Sequence, residues 1–195
     1  MGEVPRRIIV GITGASGAIL GVRLLELLKE KDIETHLVMS KAAEMALGYE
    51  TELQAKDVRA LASINHGVMA LGAAISSGSF QTMGMVIAPC SIRTMSEIAT
   101  GVTSTLVSRA ADVVLKEKRR LVLALRETPL HLGHLRTMTA LAEMGAVIAP
   151  LAPAFYTQPK SVGDIVDHAA GRLLDLFGID TAAVKRWDGG RKEPG

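Results

Sequence analysis

Five short apolar runs, each followed by a stretch with helical spacing, constrain the fold more than any other feature of this sequence. The runs are rich in β-branched residues and cover 7–13, 35–39, 83–88, 121–125 and 146–149, the third ended by Pro89. Strands joined by helices run parallel, and burial on both faces requires nearly continuous apolar strands. The sequence therefore predicts an α/β fold, a Rossmann-like (flavodoxin-like) three-layer sandwich with a mostly parallel sheet.

The length of the chain limits the number of domains. Its 195 residues, 48% of them hydrophobic, suffice for one well-buried core but are few for two. We expect one domain over 1–180 and a polar tail over 181–195 that is ordered only where Trp187 docks. The pattern weakens over 51–80, where the small residues of 73–79 predict a mobile loop.

Composition argues against several classes of function. A net charge of +2 is too small to indicate a nucleic-acid surface, and no apolar stretch reaches the roughly 18 to 20 residues of a membrane span. The only cysteine, Cys90, cannot form a disulfide within the chain, which fits a reducing cytoplasm.

We expect Cys90 to be a buried small hydrophobe rather than a nucleophile. His131 and His134 lack further ligand-like partners, so no metal is predicted.

Ligands of open parallel sheets bind outside the carboxyl ends of the strands, where the amino ends of helices converge. That rule selects five corners of this chain by position alone. They are 13–16, Ser40, 90–94, 126–127 and 150–156.

The first corner is a glycine-rich turn, GITGASG at 11–17. Its spacing differs from the dinucleotide fingerprint and it lacks the lysine of a P-loop, so a pyrophosphate or triphosphate is less favoured. Small residues let a ligand approach the backbone closely, and Ser16 adds a hydroxyl, which suits a monophosphate or the edge of a flavin ring. A tight turn whose glycines serve only packing is the alternative.

The other corners also carry groups that can bind anions. In Ser91-Ile92-Arg93-Thr94, two hydroxyls and a guanidinium stand at a helix start, although Ser91 is equally explained as an N-cap. Arg126 and Glu127 directly follow an apolar strand, where they serve either a site or a structural ion pair.

Two further features are ambiguous from the residues alone. Arg109 and Lys116 lie seven residues apart and share one face of a helix, which is either a binding face or a solvated one with Asp112 as partial counter-charge. Phe155 and Tyr156 are placed to wall an apolar pocket, although core packing also explains Phe155.

Six segments resemble the UbiX-type flavin prenyltransferases almost from end to end, in the same order and with compatible spacing. They are GITGASGA at 11–18, MSKAA at 39–43, APCSIRT at 88–94, RAADVVLKEKR at 109–119, RETPLHLGHL at 126–135 and AFYTQP at 154–159. The resemblance implies that reduced FMN and dimethylallyl monophosphate form prenylated FMN, joined at flavin N5 and C6, without a metal. It also implies a homo-oligomer, commonly a dodecamer, with sites at subunit contacts, and delivery of the product to a UbiD-type decarboxylase of ubiquinone biosynthesis or aromatic acid decarboxylation.

The resemblance assigns roles to residues. It implies FMN contacts from Gly14, Ala15, Ser16, Ser40, Ser91, Ile92, Arg93, Thr94 and Arg126. It implies contacts to the dimethylallyl phosphate from Tyr156, Arg172, Arg109, Lys116 and Glu50. It further implies that, among the catalytic residues, Ser16 and Glu127 form a proton relay, Lys116 stabilises the leaving phosphate, and Trp187 closes the site.

Two other functions remain open. An FMN-dependent cysteine decarboxylase would share the fold and flavin site, but its Pro-x-Met-Asn and substrate-clamp cysteine motifs are absent from the sequence. A non-catalytic flavin-binding subunit of a separate decarboxylase would bind FMN and leave both substrates unchanged.

Overall fold

The computed structural model describes residues 5–187 and 189, and its centre is one parallel sheet in the order β3-β2-β1-β4-β5-β6. The strands are β1 Arg7–Ile12, β2 Glu34–Met39, β3 Ile64–His66, β4 Gly84–Cys90, β5 Arg120–Leu125 and β6 Val147–Ile148. The helices are α1 Ala18–Glu30, α2 Lys41–Glu50, α3 Ala55–Leu61, α4 Ile92–Ala99, α5 Leu106–Lys116, α6 Leu132–Glu143 and α7 Val162–Asp175. The predicted α/β, Rossmann-like fold is confirmed, and its strand order reverses direction between β1 and β4.

Two apolar cores cover the two faces of the sheet. Along β1, alternate residues such as Ile8 and Val10 enter a core shared with α1 and α7, whereas Ile9 enters the core of α4, α5 and α6. All three are at most 1% exposed. Because successive side chains of a strand point to opposite faces, a strand buried on both sides is apolar throughout, as the sequence predicted.

Strand β4 is not ended by Pro89, contrary to the prediction. The strand runs through the proline to Cys90, with a shift in its pairing to β5 between Ile87 and Cys90. Proline has no N–H to donate, but its carbonyl accepts hydrogen bonds from the backbone N–H of Thr13 at 3.2 Å and from the Thr13 hydroxyl at 2.8 Å. Thr13 therefore continues the link between β1 and β4 where the irregularity begins.

The segment 51–80 contains more structure than its weak pattern predicted. It forms α3 and the edge strand β3, whose short polar sequence gives no apolar run and which pairs only with β2. Residues 73–79 are not the mobile loop predicted, because Ala74–Ser76 form a 3-10 turn with Ile75 fully buried. Arg119 fixes the following carbonyls of Gly78 and Phe80 with two hydrogen bonds of 2.7 Å.

The start of the tail packs against α7. A Cβ added to Gly171 would lie 2.5 Å from Val184 and 2.9 Å from the Thr181 hydroxyl, so the glycine makes room for these residues. Residues 188 and 190–195 of the predicted tail lie outside the described residues. None of the helices described is both long and apolar enough to cross a membrane.

Candidate active site

The main cleft opens at the carboxyl ends of β1 and β4, where the strand order changes direction. It encloses about 600 Å³. All nine residues predicted to contact FMN line it, together with Glu127. The complete lining is Gly14, Ala15, Ser16, Ser40, Lys41, Ala42, Val68, Met69, Ser91, Ile92, Arg93, Thr94, Glu97, Thr105, Val107, Arg126 and Glu127.

The glycine turn lies in the lining of the cleft, and at Gly14 the missing side chain makes room for a neighbouring helix, which is the packing role considered as the alternative for this turn. A Cβ on Gly14 would lie 2.4 Å from the Cβ of Ala42, so α2 packs directly against the turn. The carboxylate of Glu50 accepts hydrogen bonds from the N–H groups of Gly17 at 2.8 Å and Ala18 at 3.0 Å. The amino end of α1 therefore already carries its own anion, and Glu50, predicted to contact the prenyl phosphate, is an α1 cap in this chain.

The amino end of α4 differs because no acidic side chain lies in its first turn. Ser91 caps it by accepting the N–H of Thr94 at 3.3 Å, and the N–H of Ser91 itself donates to the Thr13 hydroxyl at 2.8 Å. Arg93 pairs with Glu97 at 2.9 Å, so its place in the first turn does not by itself require an external anion. A helix amino end without an acidic residue in its first turn, flanked by two hydroxyls, is able to hold an anion at this end of the cleft.

Arg126 and Glu127 follow β5 and expose their side chains at the cleft. The backbone N–H of Arg126 donates to the Cys90 carbonyl at 3.2 Å, which fixes this corner to β4. The Glu127 carboxylate accepts the N–H of Thr128 at 2.9 Å. Within the part of the chain that the structure describes, the two side chains do not pair with each other, so the structural ion pair considered as an alternative is not formed.

A second, smaller cavity of about 320 Å³ contains Tyr156 and Arg172. Its wall includes a residue that sequence reasoning missed, His168, whose Nε2 lies 3.3 Å from the Tyr156 hydroxyl. His168 lies one helical turn before Arg172, and that spacing was the available signal. Trp187 lies perpendicular to the Tyr156 ring with 5.6 Å between centroids and remains 65% exposed. Trp187 therefore contacts the wall of this cavity through Tyr156 and keeps most of its indole exposed.

Arg109 and Lys116 line neither cavity. Arg109 pairs with Asp112 at 2.8 Å and donates to the Ser76 carbonyl at 3.2 Å, while Lys116 pairs with the adjacent Glu117. The helix α5 that carries them packs on one face of the sheet, whereas α7 with Arg172 packs on the other. One chain therefore does not bring the predicted phosphate contacts together.

The remaining candidates for chemistry have structural roles. Burial raises the pKa of the Cys90 thiol to about 12, which keeps it protonated, and the prediction of a buried small hydrophobe is confirmed. His131 caps α6, because its Nδ1 accepts the N–H of Gly133 at 3.0 Å, and its ring stacks on His134. Among the described residues no three His, Cys, Asp or Glu side chains are grouped to hold a metal ion.

A doubly wound sheet whose switch point carries a cleft, a glycine turn and a helix amino end without an acidic first turn is typical of nucleotide-binding α/β proteins. Comparison with known proteins narrows the class. Residues 2–174 match the family model described as Flavoprotein. The flavin prenyltransferase UbiX of Escherichia coli K12 is 57% identical over 187 residues, covering 94% of this chain and 99% of that protein.

Two solved structures are similar over nearly the whole chain. A crystal structure of AnUbiX in complex with FMN and dimethylallyl pyrophosphate has a TM-score of 0.95 and 49% identity, covering 96% of this chain and all of that one. A dodecameric FMN-dependent UbiX-like decarboxylase from Escherichia coli O157:H7 has a TM-score of 0.92 and 51% identity, with 94% and 100% coverage. This chain belongs to the flavoprotein family and, within it, to the flavin prenyltransferases.

Proposed function

We propose that this protein transfers a dimethylallyl group from dimethylallyl monophosphate to N5 and C6 of reduced FMN. The observation that carries the proposal is the single cleft in which the nine predicted FMN contacts and Glu127 converge, in a chain 57% identical to a flavin prenyltransferase. The product serves a UbiD-type decarboxylase. Residues 1–180 form the FMN-binding domain and 181–195 the tail, and the single cysteine supports a cytoplasmic location.

The main cleft suits FMN in size and polarity. Its volume of about 600 Å³ is typical of a cofactor site. The amino end of α4, with the hydroxyls of Ser91 and Thr94 and the side chain of Arg126, would hold the FMN phosphate. When bound, reduced FMN supplies the two ring positions that take up the prenyl group.

The second cavity suits the prenyl phosphate. As the allylic C–O bond breaks, the electron pair and negative charge pass to the phosphate, and fixed positive charges lower that barrier. Arg172 and the Tyr156 hydroxyl donate hydrogen bonds to the phosphate oxygens. Arg109 and Lys116 lie on the opposite face of the sheet in the same chain, so we infer that a neighbouring subunit supplies them. The dodecameric state of a relative with 51% identity supports this assembly.

Glu127 and Ser16 are the residues that transfer protons in this proposal, and both line the main cleft. Closing the new ring at C6 requires removal of the proton from that carbon, and a carboxylate without an ion-pair partner can accept it. The Ser16 hydroxyl relays protons within the cleft. Trp187, beside Tyr156, places an aromatic face near the allylic carbon, where it favours positive charge.

The decisive experiment incubates the purified protein with reduced FMN and dimethylallyl monophosphate without oxygen and measures the mass of the flavin. A gain of one dimethylallyl unit is expected, and no gain would refute the proposal. A parallel reaction with dimethylallyl pyrophosphate tests the donor named for the related structure.

The same preparation separates the alternatives. A cysteine decarboxylase would leave the flavin mass unchanged but act on a peptide ending in cysteine. A non-catalytic subunit would bind FMN and change neither substrate.

A further inference from the structure

Asp175, at the carboxyl end of α7, binds two arginines with one carboxylate. Oδ2 accepts from Arg172 at 2.5 Å and from Arg186 at 3.0 Å, while Oδ1 accepts a second bond from Arg186 at 2.8 Å. The Asp175 side chain is 13% exposed, whereas both arginine side chains are 53% exposed. The largely buried carboxylate of Asp175 therefore joins two exposed arginine side chains, and Arg186 also donates to the exposed carboxylate of Asp180 at 2.6 Å.

The bond to Arg186 is a two-pronged one, the geometry in which a guanidinium fixes both distance and orientation. Hydrogen bonds from Arg186 are the main reason that the pKa of Asp175 lies below its usual range. Arg186 directly precedes Trp187, so anchoring its guanidinium limits where the indole can lie. The space left by Gly171 for Val184, two residues before Arg186, supports the same docking.

Arg172 and Trp187 reach the same cavity from different segments. Arg172 lines it from α7, and Trp187 contacts Tyr156, which lines it from the loop before α7. We propose that Asp175 is a positioning residue of the prenyl-phosphate subsite, orienting Arg172 directly and holding Trp187 against Tyr156 through Arg186. The identity of the substrate at this subsite rests on the proposed function. The docking of the tail can be measured without any substrate.

The single tryptophan of the chain makes docking visible, because all tryptophan emission comes from Trp187. We expect Asp175→Asn and Arg186→Gln to shift this emission to longer wavelength and lower its anisotropy, with Arg186→Lys intermediate because ammonium cannot form the fork. The KM for dimethylallyl monophosphate should rise about fivefold, the upper end for an exposed ion pair, while FMN affinity stays unchanged.

The matched control is Asp167→Asn. Asp167 also lies on α7 and accepts a hydrogen bond from an arginine, Arg23, at 2.7 Å, but it is not bound to the tail. This variant should leave emission and KM as in wild type. Unchanged FMN binding shows that each variant is folded, and Arg186→Gln, outside the helices, tests the proposal if Asp175→Asn fails to fold.

The outcomes are distinct. Unchanged emission in both test variants overturns the anchoring, and changed emission with unchanged KM overturns the role in the subsite. An equal effect of Asp167→Asn also overturns the proposal, since any charge on α7 would then suffice. If wild type forms no prenylated flavin, the proposed function fails, and the emission data still decide whether Asp175 holds the tail.

Discussion

Replacing Gly14 by alanine should weaken FMN binding by a steric mechanism that a second substitution reverses. The new Cβ would lie 2.4 Å from the Cβ of Ala42, where carbon atoms in contact normally stay about 3.5–4.0 Å apart. The glycine turn and α2 must therefore separate by more than an ångström. Both segments line the main cleft, so the displacement changes the shape of the site itself.

Such an overpacked contact destabilises the folded protein by about 1–3 kcal/mol. If this free energy destabilises the FMN-bound state relative to the free protein, the Kd for FMN rises about 5- to 150-fold. Ala42→Gly removes the opposing methyl, and the remaining neighbours, the Cα and carbonyl carbon of residue 42, lie at an acceptable 3.4 Å. That change alone costs at most about 1 kcal/mol of helix stability.

The assay is a double-mutant cycle in FMN titrations followed by flavin fluorescence, with urea unfolding of each apoprotein. The pair Gly14→Ala and Ala42→Gly should bind FMN nearly as well as wild type, with a coupling free energy of about 1–3 kcal/mol. Gly17→Ala is the control. Its φ of 100° strains the backbone of an alanine, but a Cβ there meets nothing within 4 Å, so Ala42→Gly should not rescue it. Normal FMN affinity in Gly14→Ala, or equal rescue of Gly17→Ala by Ala42→Gly, would refute the reasoning.

Three further predictions follow from the site and its charges. Glu127→Gln should slow ring closure roughly 100-fold or more while FMN affinity is kept, as rapid-mixing absorbance and equilibrium titration would show; a wild-type rate would remove Glu127 from the relay. Cys90 should resist thiol reagents in the native protein and react only at the rate of unfolding, since burial raises its pKa to about 12; rapid labelling at neutral pH would contradict that burial. Because Arg186 lowers the pKa of Asp175, the docking of Trp187 is fully present above the ordinary aspartate range and is lost as pH falls through the lowered value; emission that changed instead near neutral pH would require another titrating group.

The five strand ends that bear site residues are marked by local features of the sequence. Apolar runs identified five of the six strands, and the polar residues directly after them identified the cleft, because parallel strands place their carboxyl ends on one edge. Strand β3 was not predicted, since an edge strand with exposed Ile64 and polar neighbours carries no buried run. The extension of β4 past Pro89 depended on Thr13, which no local pattern reveals.

The sequence by itself determined the class of fold, the family and those residues of the main cleft that stand at the ends of strands, because these follow from periodicity and from motifs along the chain. The cleft residues contributed by helix interiors and by the loop at Val68 and Met69 were not predicted. Only the tertiary structure decided how the predicted phosphate contacts are divided. It placed Glu50 on the amino end of α1 and separated α5 from α7 by the thickness of the sheet. It also joined Arg172 to the tail through Asp175. Such relations depend on which faces of distant segments meet, and the spacing of residues along the chain does not contain that information.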